Sequence, residues 1–357
     1  MTEKVPKYLE IVNWVKAQIN KGELKLGDKL SEKFLSSMFS VSRQTVRHGI
    51  SKLKEEGYVK SVQGSGTYIC DNTRANLPRT YNIAVVTTYV DRYIFPNVIR
   101  EIEKVLSDAG YFTQIAFTHN TLEKESEILH RFLENNVDGI IIEPTKSGLP
   151  NPNIELYVEL KKRKIPIIFI NSYYPDLDLP HVNMDDKKAG LLAVNHLIEA
   201  GHKRIAGIFK ADDRQGHFRY SGYIEGLLKA GIQIHDNDII WIDTEDTYHM
   251  YYNEKRILDR IKECTGCVCY NDEVAVSIVE ICKKNNISIP DQFSIVSIDD
   301  SDLAANCDVP LTSVAYPIKD LGEKVAQNLL KLIKNESFNA TYEFVPTITI
   351  RDSVRKI

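Results

Sequence analysis

The stretch VSRQTVRHGISKLKEEGYVKSVQGSGTYI, from Val41 to Ile69, decides the fold of the first fifth of the chain. Ser42 can cap a helix that ends at Gly57, because apolar residues recur between them at helical spacing. Two β-rich runs follow and flank Gly64-Ser65-Gly66, which is typical of a hairpin. A phosphate-binding loop would instead lead into a helix and, in its Walker form, end in Gly-Lys-Ser or Gly-Lys-Thr. The glycines therefore predict the tip of a hairpin.

Two further helical segments precede this stretch, "PKYLEIVNWVKAQINKG" and "LSEKFLSSMFS". Three helices followed by a hairpin predict a winged helix-turn-helix domain. The third helix carries polar side chains that can contact DNA, namely Arg43, Gln44, Thr45, Arg47 and His48. In the major groove, Arg can form two hydrogen bonds with guanine and Gln can form two with adenine. A solvated helix face is the alternative, but the clustering favours a DNA-binding surface.

The charge distribution supports contact with a polyanion. Residues 1–70 contain 12 Lys and Arg against 7 Asp and Glu, whereas the whole chain has a net charge of -4. A small basic segment on a large acidic body is typical of nucleic-acid binding.

The N-terminal segment resembles the winged-helix domain of GntR-type regulators over residues 5–70, through "KLSEKF", "VSRQTVRHGISKLKEEG" and "QGSGTYI". The resemblance implies that Arg43, Thr45 and Arg47 contact DNA from the recognition helix. It assigns contacts in the minor groove to the wing, formed by Gln63, Gly64, Ser65 and Gly66, and makes Lys7 a further candidate. Two positions depart from the family pattern: the proline before Ser31 is absent, and Gly49 replaces the usual Ala.

After residue 70 the composition changes. Residues 71–80 are polar and contain a proline, which predicts a linker. In residues 81–357, apolar strands such as "IPIIFIN" and "FSIVSI" alternate with amphipathic segments such as "KKAGLLAVNHLIEAG". This alternation predicts an α/β fold with doubly wound parallel sheets, and two such sets predict two lobes with a ligand cleft between them.

Polar residues follow several predicted strands of this body, where parallel sheets bind ligands. Carboxylates, amides and Arg bond to neighbouring hydroxyls, and aromatic rings cover the apolar faces of sugars. The set therefore favours a small neutral polyol. An Asp after a strand often only caps the next helix, which is the alternative for Asp186, Asp213 and Asp300. No nucleophile–base pair or metal cluster stands out, so we expect no enzyme.

The remaining composition is that of an ordinary globular protein. No run of about 18 apolar residues or signal peptide is present, so we expect a cytoplasmic protein without membrane contact. Cys264 and Cys267 form a CxxC, but a zinc site needs further ligands at suitable spacing. We expect structural thiols and no metal.

The body resembles the effector domain of LacI/GalR regulators from about Tyr81 to Ile350. The resemblance rests on "VDGIIIEP", "NMDDKKAGLLAVNHLIEAGHKRIAGI", "RYSGYIEGL" and "CYNDEVAVSIVEICKKNNISIPDQFSIVSIDDSDLA". It implies a two-lobed fold similar to periplasmic sugar-binding proteins. By position in "DDKKAG", "RYSGY" and "SIDD", it assigns effector binding to Asp185, Arg219 and Asp299.

A GntR-type head on a LacI/GalR-type body, with "TTYVDRYIFPNVIREIE", "EPTKS" and "GIFKADDRQG", resembles the arabinose-responsive repressors of Gram-positive bacteria. This resemblance implies L-arabinose as the effector and no cofactor. It adds four residues to the effector pocket, namely Tyr93, Phe95, Glu143 and Lys146.

The function implied is that of a homodimeric repressor on a near-palindromic operator. The segment "PNVIREIEKV" is a candidate dimer surface, with ordinary core packing as the alternative. Two other functions stay open. One is a regulator of the same architecture that responds to another pentose, a sugar phosphate or a purine. The other is a sugar-binding transport component, against which the basic head argues.

Overall fold

The computed structural model describes residues 6–70, 79–90 and 93–357. Its N-terminal domain, the head, consists of three helices and a three-stranded antiparallel sheet. The helices are α1 (Lys7–Asn20), α2 (Glu32–Phe39) and α3 (Arg43–Glu55). The strands are β1 (Lys29–Leu30), β2 (Val59–Val62) and β3 (Gly66–Ile69), in the order β1-β3-β2. The predicted winged helix-turn-helix is confirmed.

Local signals in the sequence set the ends of the head's helices. The Ser31 hydroxyl accepts from the Phe34 amide at 3.3 Å, and the Ser42 hydroxyl accepts from the Thr45 amide at 3.2 Å. Each serine thus satisfies a backbone donor that has no partner inside its helix. The missing proline before Ser31 therefore does not prevent α2 from starting there.

Gly49 allows α1 and α3 to pack closely. A Cβ at this position would lie 3.2 Å from the carbonyl oxygen of Tyr8 and 3.4 Å from the Ile11 side chain. Glycine costs about 1 kcal/mol of helix propensity relative to alanine. In this chain the close approach of the two helices explains the departure from the usual Ala.

The body contains two six-stranded sheets. The first, in lobe 1, has the order β14-β8-β7-β6-β4-β5 and is parallel throughout. Its strands are β4 (Asn82–Thr87), β5 (Phe112–Phe117), β6 (Gly139–Ile142), β7 (Ile167–Ile170), β8 (His181–Met184) and β14 (Tyr342–Phe344).

The second sheet, in lobe 2, has the order β10-β9-β11-β12-β13-β15, and only the pairing of β15 with β13 is antiparallel. Its strands are β9 (Ile205–Lys210), β10 (Ile239–Ile242), β11 (Gly266–Cys269), β12 (Ser294–Asp299), β13 (Thr312–Ala315) and β15 (Thr347–Thr349). The two parallel-sheet lobes confirm the predicted α/β fold class.

Helices cover the sheets on both faces. Those of lobe 1 are α4 (Phe95–Asp108), α5 (Leu122–Glu134), α6 (Ile154–Lys162) and α13 (Ile318–Lys334). Those of lobe 2 are α7 (Asp186–Glu199), α8 (Arg214–Lys229), α9 (Thr244–Tyr248), α10 (Glu254–Ile261), α11 (Asp272–Lys284) and α12 (Asp302–Asn306). The chain passes between the lobes three times, after β8, after β13 and between β14 and β15, so these connections form the hinge.

The apolar side of α4 faces the interior of its own chain. Val98, Ile99, Ile102 and Leu106 are buried, and α4 packs against α13. Ordinary core packing therefore accounts for Val98, Ile99 and Ile102 of "PNVIREIEKV", and a dimer surface on the exposed side of this segment stays a prediction.

Most of the predicted linker, residues 71–78, lies outside the described residues. Cys264, Cys267, Cys269 and Cys282 lie in the apolar core of lobe 2, and burial raises the pKa of Cys264 and of Cys282 to about 12. Within the described ranges, no helix is long and apolar enough to cross a membrane.

Candidate nucleic-acid interface and ligand cavity

The recognition helix α3 exposes the side chains that the sequence predicted. Arg43, Gln44 and Arg47 are exposed, while Val46 and Ile50 on the other side of the helix are buried. Thr45 is half-buried, and its hydroxyl lies 2.9 Å from that of the capping Ser42. The amphipathic pattern of α3 thus leaves the side chains predicted to contact DNA bases exposed to solvent.

The start of α1 and the wing extend this polar surface. The Tyr8 ring stacks on His48 of α3 with centroids 4.1 Å apart, which places the adjacent, exposed Lys7 near the recognition helix. The wing tip is exposed and turns through glycines with φ of +74° and +130°, values that favour glycine over other residues. Its exposed residues are Gln63, Gly64, Ser65 and Gly66.

Glu32 is a neighbour of this surface that the sequence analysis missed. Its Oε2 accepts from Nε of Arg47 at 3.2 Å, from the first turn of α2. An exposed ion pair contributes little stability. The pair places a carboxylate beside the Arg47 guanidinium, and the acidic residue in "LSEKF" was the available signal.

A cavity of about 350 Å³ lies between the two lobes at the carboxyl ends of their strands. Five of the seven predicted effector-binding residues line it, namely Tyr93, Phe95, Glu143, Arg219 and Asp299. The other two, Lys146 and Asp185, are not among its lining residues.

Asp185 and Asp186 have different surroundings in the structure, and neither side chain is among the residues that line the cavity. Asp185 Oδ1 accepts from the Lys188 amide at 2.8 Å, so Asp185 is the cap of α7. Asp186 is only 4 % exposed, and its Oδ1 accepts from Nε of Arg219 at 2.8 Å. The neighbour that we interpreted as a helix cap is thus the carboxylate that contacts the buried arginine.

Lys146 forms a hydrogen bond in the loop after β6 through its backbone amide. Its amide donates to Oδ1 of Asn120 at 2.8 Å, and its φ is +44°. The side chain is half-exposed and lies outside the cavity lining. Lys146 thus belongs to a loop at the cleft, and its contact with the effector stays a prediction.

Arg219 organises the wall of lobe 2. It is 1 % exposed, and its Nη2 donates to Oδ1 of Asp299 at 3.1 Å, while its Nη1 donates to the Tyr270 carbonyl at 2.6 Å. The Tyr93 hydroxyl, from lobe 1, donates to the other oxygen of Asp299 at 2.7 Å. Asp299 therefore joins a cation of lobe 2 to a hydroxyl of lobe 1.

Burial dominates the protonation of these carboxyls. It raises the pKa of Asp299 to about 7 and that of Asp186 to about 6, although Arg219 acts in the opposite direction on both. Desolvation disfavours the charged form, and the neighbouring cation favours it. Without Arg219, both groups would bind protons more tightly still.

Glu143 forms the matching wall in lobe 1. Its Oε2 accepts from the amide and hydroxyl of Thr88 at 2.7 and 2.6 Å, and its Oε1 accepts from the Asn171 side chain at 2.8 Å. The Tyr316 hydroxyl donates to Oδ1 of Asn171 at 2.9 Å. Burial raises the pKa of Glu143, while the Thr88 and Asn171 donors lower it. These bonds fix the carboxylate at the cavity surface.

Lys210 and Asp213 are two cavity residues that the predicted site did not include. Nζ of Lys210 donates to Asp213 at 2.8 Å, and the Tyr270 hydroxyl donates to the same carboxylate oxygen at 3.0 Å. Burial lowers the pKa of Lys210, but Asp213 and Asp212 outweigh it and raise the value overall. The available signal was a lysine at the end of an otherwise apolar strand, β9.

Aromatic rings line the remaining sides of the cavity. Tyr89 of lobe 1 meets Tyr248 of lobe 2 edge-on with centroids 6.3 Å apart, and it meets Phe95 at 6.1 Å. Rings of this kind cover the apolar face of a sugar.

Several residues at the strand ends have positive φ, namely Tyr93, Asn120, Asn171, Asp299 and Asp300. Such conformations are costly and concentrate at functional sites.

Comparison with known proteins agrees with this architecture. The family model described as bacterial regulatory proteins, gntR family, matches residues 7–69, and a periplasmic binding protein-like domain matches residues 194–354. The solved transcription regulator CcpA of Lactococcus lactis is 26 % identical, with a TM-score of 0.70 over 78 % of this chain and 100 % of its own. Head and body together define a DNA-binding transcriptional repressor with an effector domain of the sugar-binding type.

Two relatives identify the family. The arabinose metabolism transcriptional repressor of Geobacillus stearothermophilus is 35 % identical over all of both chains. That of Halalkalibacterium halodurans is 38 % identical over 92 % of this chain and 90 % of its own. The chain belongs to this family of transcriptional repressors, as the resemblance in the sequence indicated.

Proposed function

We propose that this protein represses sugar-utilisation genes as a cytoplasmic homodimer and that L-arabinose, bound between the lobes, releases it from operator DNA. It needs no cofactor for this. The observation that carries the proposal is the cavity, whose walls bring Arg219 and Asp299 of lobe 2 to Tyr93 and Glu143 of lobe 1.

The charges of the cavity favour a neutral sugar over a sugar phosphate. Among the described lining residues the cations are Arg219 and Lys210, and each is paired with carboxylates. A phosphate would need cations that are not already neutralised. A volume of about 350 Å³ is near the lower end of ligand sites, which suits a small ligand such as a pentose. Both relatives named above carry arabinose in their names.

The head supports binding to a symmetric operator. A single winged helix presents few base-contacting side chains, so two copies related by a two-fold axis would read two half-sites. The edge strand β5 offers a surface for the second subunit, because Phe112 on it is 75 % exposed and Ile115 is also exposed.

The sugar acts through its difference in affinity for two arrangements of the lobes. Hydrogen bonds to groups on both lobes are complete only when the cleft is closed. Closure therefore becomes more populated as sugar binds. In this proposal closure makes the DNA-binding arrangement of the two heads less populated, so by linkage operator DNA and sugar weaken each other's binding.

The test combines thermal unfolding with operator titration. The purified protein is heated with L-arabinose, D-xylose, D-galactose and ribose, and a ligand at a hundredfold its dissociation constant stabilises the folded state by about 2.7 kcal/mol. We expect stabilisation by L-arabinose alone, and release of a fluorescent operator duplex by the same sugar. Stabilisation by another sugar would assign a different effector to the same repressor. Stabilisation without any effect on operator binding would refute the proposed coupling.

A further inference from the structure

A second contact between the lobes lies beside the sugar cavity. It joins the loop after β6, residues 144–149 of lobe 1, to the loop after β9, residues 211–214 of lobe 2. The Arg214 amide donates to the Ser147 hydroxyl at 3.0 Å, and the Gly148 amide donates to the Asp212 carbonyl at 3.0 Å. Each bond includes a backbone amide, which cannot rotate away as a side chain can. The bonds can therefore form only when the two lobes are in this arrangement.

A buried chain of hydrogen bonds extends this contact. The Asn120 side-chain amide of lobe 1 donates to the Thr244 hydroxyl of lobe 2 at 2.7 Å, and the Thr244 hydroxyl donates to the Asp212 carboxylate at 2.5 Å. On its other side, Asn120 accepts from the Lys146 amide. Asn120, Asp212 and Thr244 are all buried, so separating the lobes would expose every member of this chain to water.

Gly148 lies where the two loops are closest. A Cβ at this position would be 2.7 Å from the carbonyl oxygen of Ala211 and 2.9 Å from the amide nitrogen of Asp213. Both neighbours are backbone atoms of the other lobe, so rotation of a side chain cannot relieve the contact. The φ of Gly148 lies outside the left-handed region, so alanine can adopt its backbone conformation once the lobes separate.

We propose that the loop containing Gly148 is a latch that seats against residues 211–214 when the cleft closes, and that the absence of a side chain at Gly148 is required for closure. This inference rests on the proposed function, in which sugar binding closes the lobes. Neither Gly148 nor Thr244 lines the cavity, so substitutions at these two positions change the stability of the closed form without altering a side chain of the cavity wall.

The energetic consequence is that apparent sugar affinity depends on the latch. The apparent affinity of a ligand that binds the closed form is its intrinsic affinity multiplied by the fraction of molecules in that form. A side chain at Gly148 would lower this fraction even though every cavity residue is unchanged.

The test compares Gly148→Ala with Leu149→Ala, which changes an exposed side chain in the same loop. L-arabinose binding is measured by calorimetry, using instead whichever sugar of the panel stabilises the wild type if that is a different one. We expect Gly148→Ala to weaken binding about tenfold or more and Leu149→Ala to leave it within about twofold. Small-angle scattering should show that sugar compacts the wild type and Leu149→Ala but not Gly148→Ala, while all three bind operator equally without sugar.

Thr244→Val provides a second measurement that does not depend on a clash. It removes the hydroxyl between Asn120 and Asp212 and keeps the shape of the side chain, so we expect weaker sugar binding here too. If Gly148→Ala fails to fold, this variant decides the question, and wild-type affinity in it overturns the latch.

The outcomes separate the latch from the proposed function. Equal binding and compaction in the wild type and in Gly148→Ala overturn the latch and leave the sugar-responsive repressor intact. A wild type that binds none of the sugars overturns the proposed function, and the latch falls with it.

Discussion

Replacing Arg219 with methionine tests whether the buried cation holds the cavity together. Arg219 is enclosed, and it bonds to two carboxylates at 2.8 and 3.1 Å. Methionine keeps much of the side-chain volume but leaves Asp186 and Asp299 without their cation. Removing one partner of a buried ion pair costs about 3–5 kcal/mol, because the remaining charge stays buried.

The size of this loss depends on pH, because the two carboxyls can take up protons. Their pKa values, about 6 for Asp186 and about 7 for Asp299, are already raised above that of an unfolded Asp, about 3.9. A raised pKa means that stability is fully present at low pH and is lost as pH rises through the folded value. Without Arg219 the folded pKa values rise further, so the variant loses more stability than the wild type over this range, up to about 1.4 kcal/mol per pH unit for each carboxyl.

We therefore expect Arg219→Met to be about 3–5 kcal/mol less stable than the wild type near pH 8, and closer to it near pH 5.5. Urea unfolding followed by circular dichroism at both pH values measures this difference. Arg260→Met is the control, because Arg260 bonds to the backbone carbonyls of Asp236 and Ile239, which do not titrate. Its effect should be independent of pH. An equal loss at both pH values for Arg219→Met would refute the argument that the two carboxyls cause it.

Four more substitutions test the interface and the cavity. Arg47→Ala should weaken operator binding by about 1–3 kcal/mol and relax base preference in fluorescence anisotropy; unchanged binding would remove it from the interface. Asp185→Ala should lower stability by about 1 kcal/mol through loss of the α7 cap while keeping sugar affinity, and a large loss of affinity would return Asp185 to the cavity. Lys210→Met should weaken sugar binding by about 1.5–3 kcal/mol in calorimetry, and full affinity would show that its amine does not meet the ligand. Asp299→Ala should abolish release of the operator by sugar without changing operator binding, so retained release would contradict its role.

The parts of the fold that local patterns determine could be predicted from the sequence. The Ser42 cap, the apolar side of α3 and the glycines of the wing each act within a few residues, and all appear where expected. The fully apolar strands of the body were equally recognisable, because a parallel sheet covered on both faces needs apolar residues on both sides of each strand.

The choice between Asp185 and Asp186 could not be made in this way. Neighbouring residues at a helix start point in directions about 100° apart, so their roles depend on which residue begins the helix. That boundary is uncertain by a residue or two from sequence alone. Only the contact between Asp186 and Arg219, which are 33 positions apart, distinguishes the pair.

The apolar stripe of α4 and the lysine at the end of β9 could not be interpreted from the sequence for a different reason, because each depends on residues that are distant in the chain. A stripe has the same pattern whether a helix of the same chain or a second subunit covers it, and α13, which covers it, lies more than 200 residues further on. The sequence analysis did not assign Lys210 to the site, because its partners Asp213 and Tyr270 come together only in the fold.

The position of α13 has a consequence for the synthesis of the protein. This helix packs on β6, β7 and β8 of lobe 1, yet the ribosome makes it after almost all of lobe 2. At about 5–20 residues per second, on the order of tens of seconds pass between the first strand of lobe 1 and the helix that covers it. During that interval the apolar surface of β6, β7 and β8 that α13 later covers is open to water. The nascent chain therefore depends on late residues to complete its earliest lobe, and premature termination before residue 318 would leave a fragment prone to aggregation.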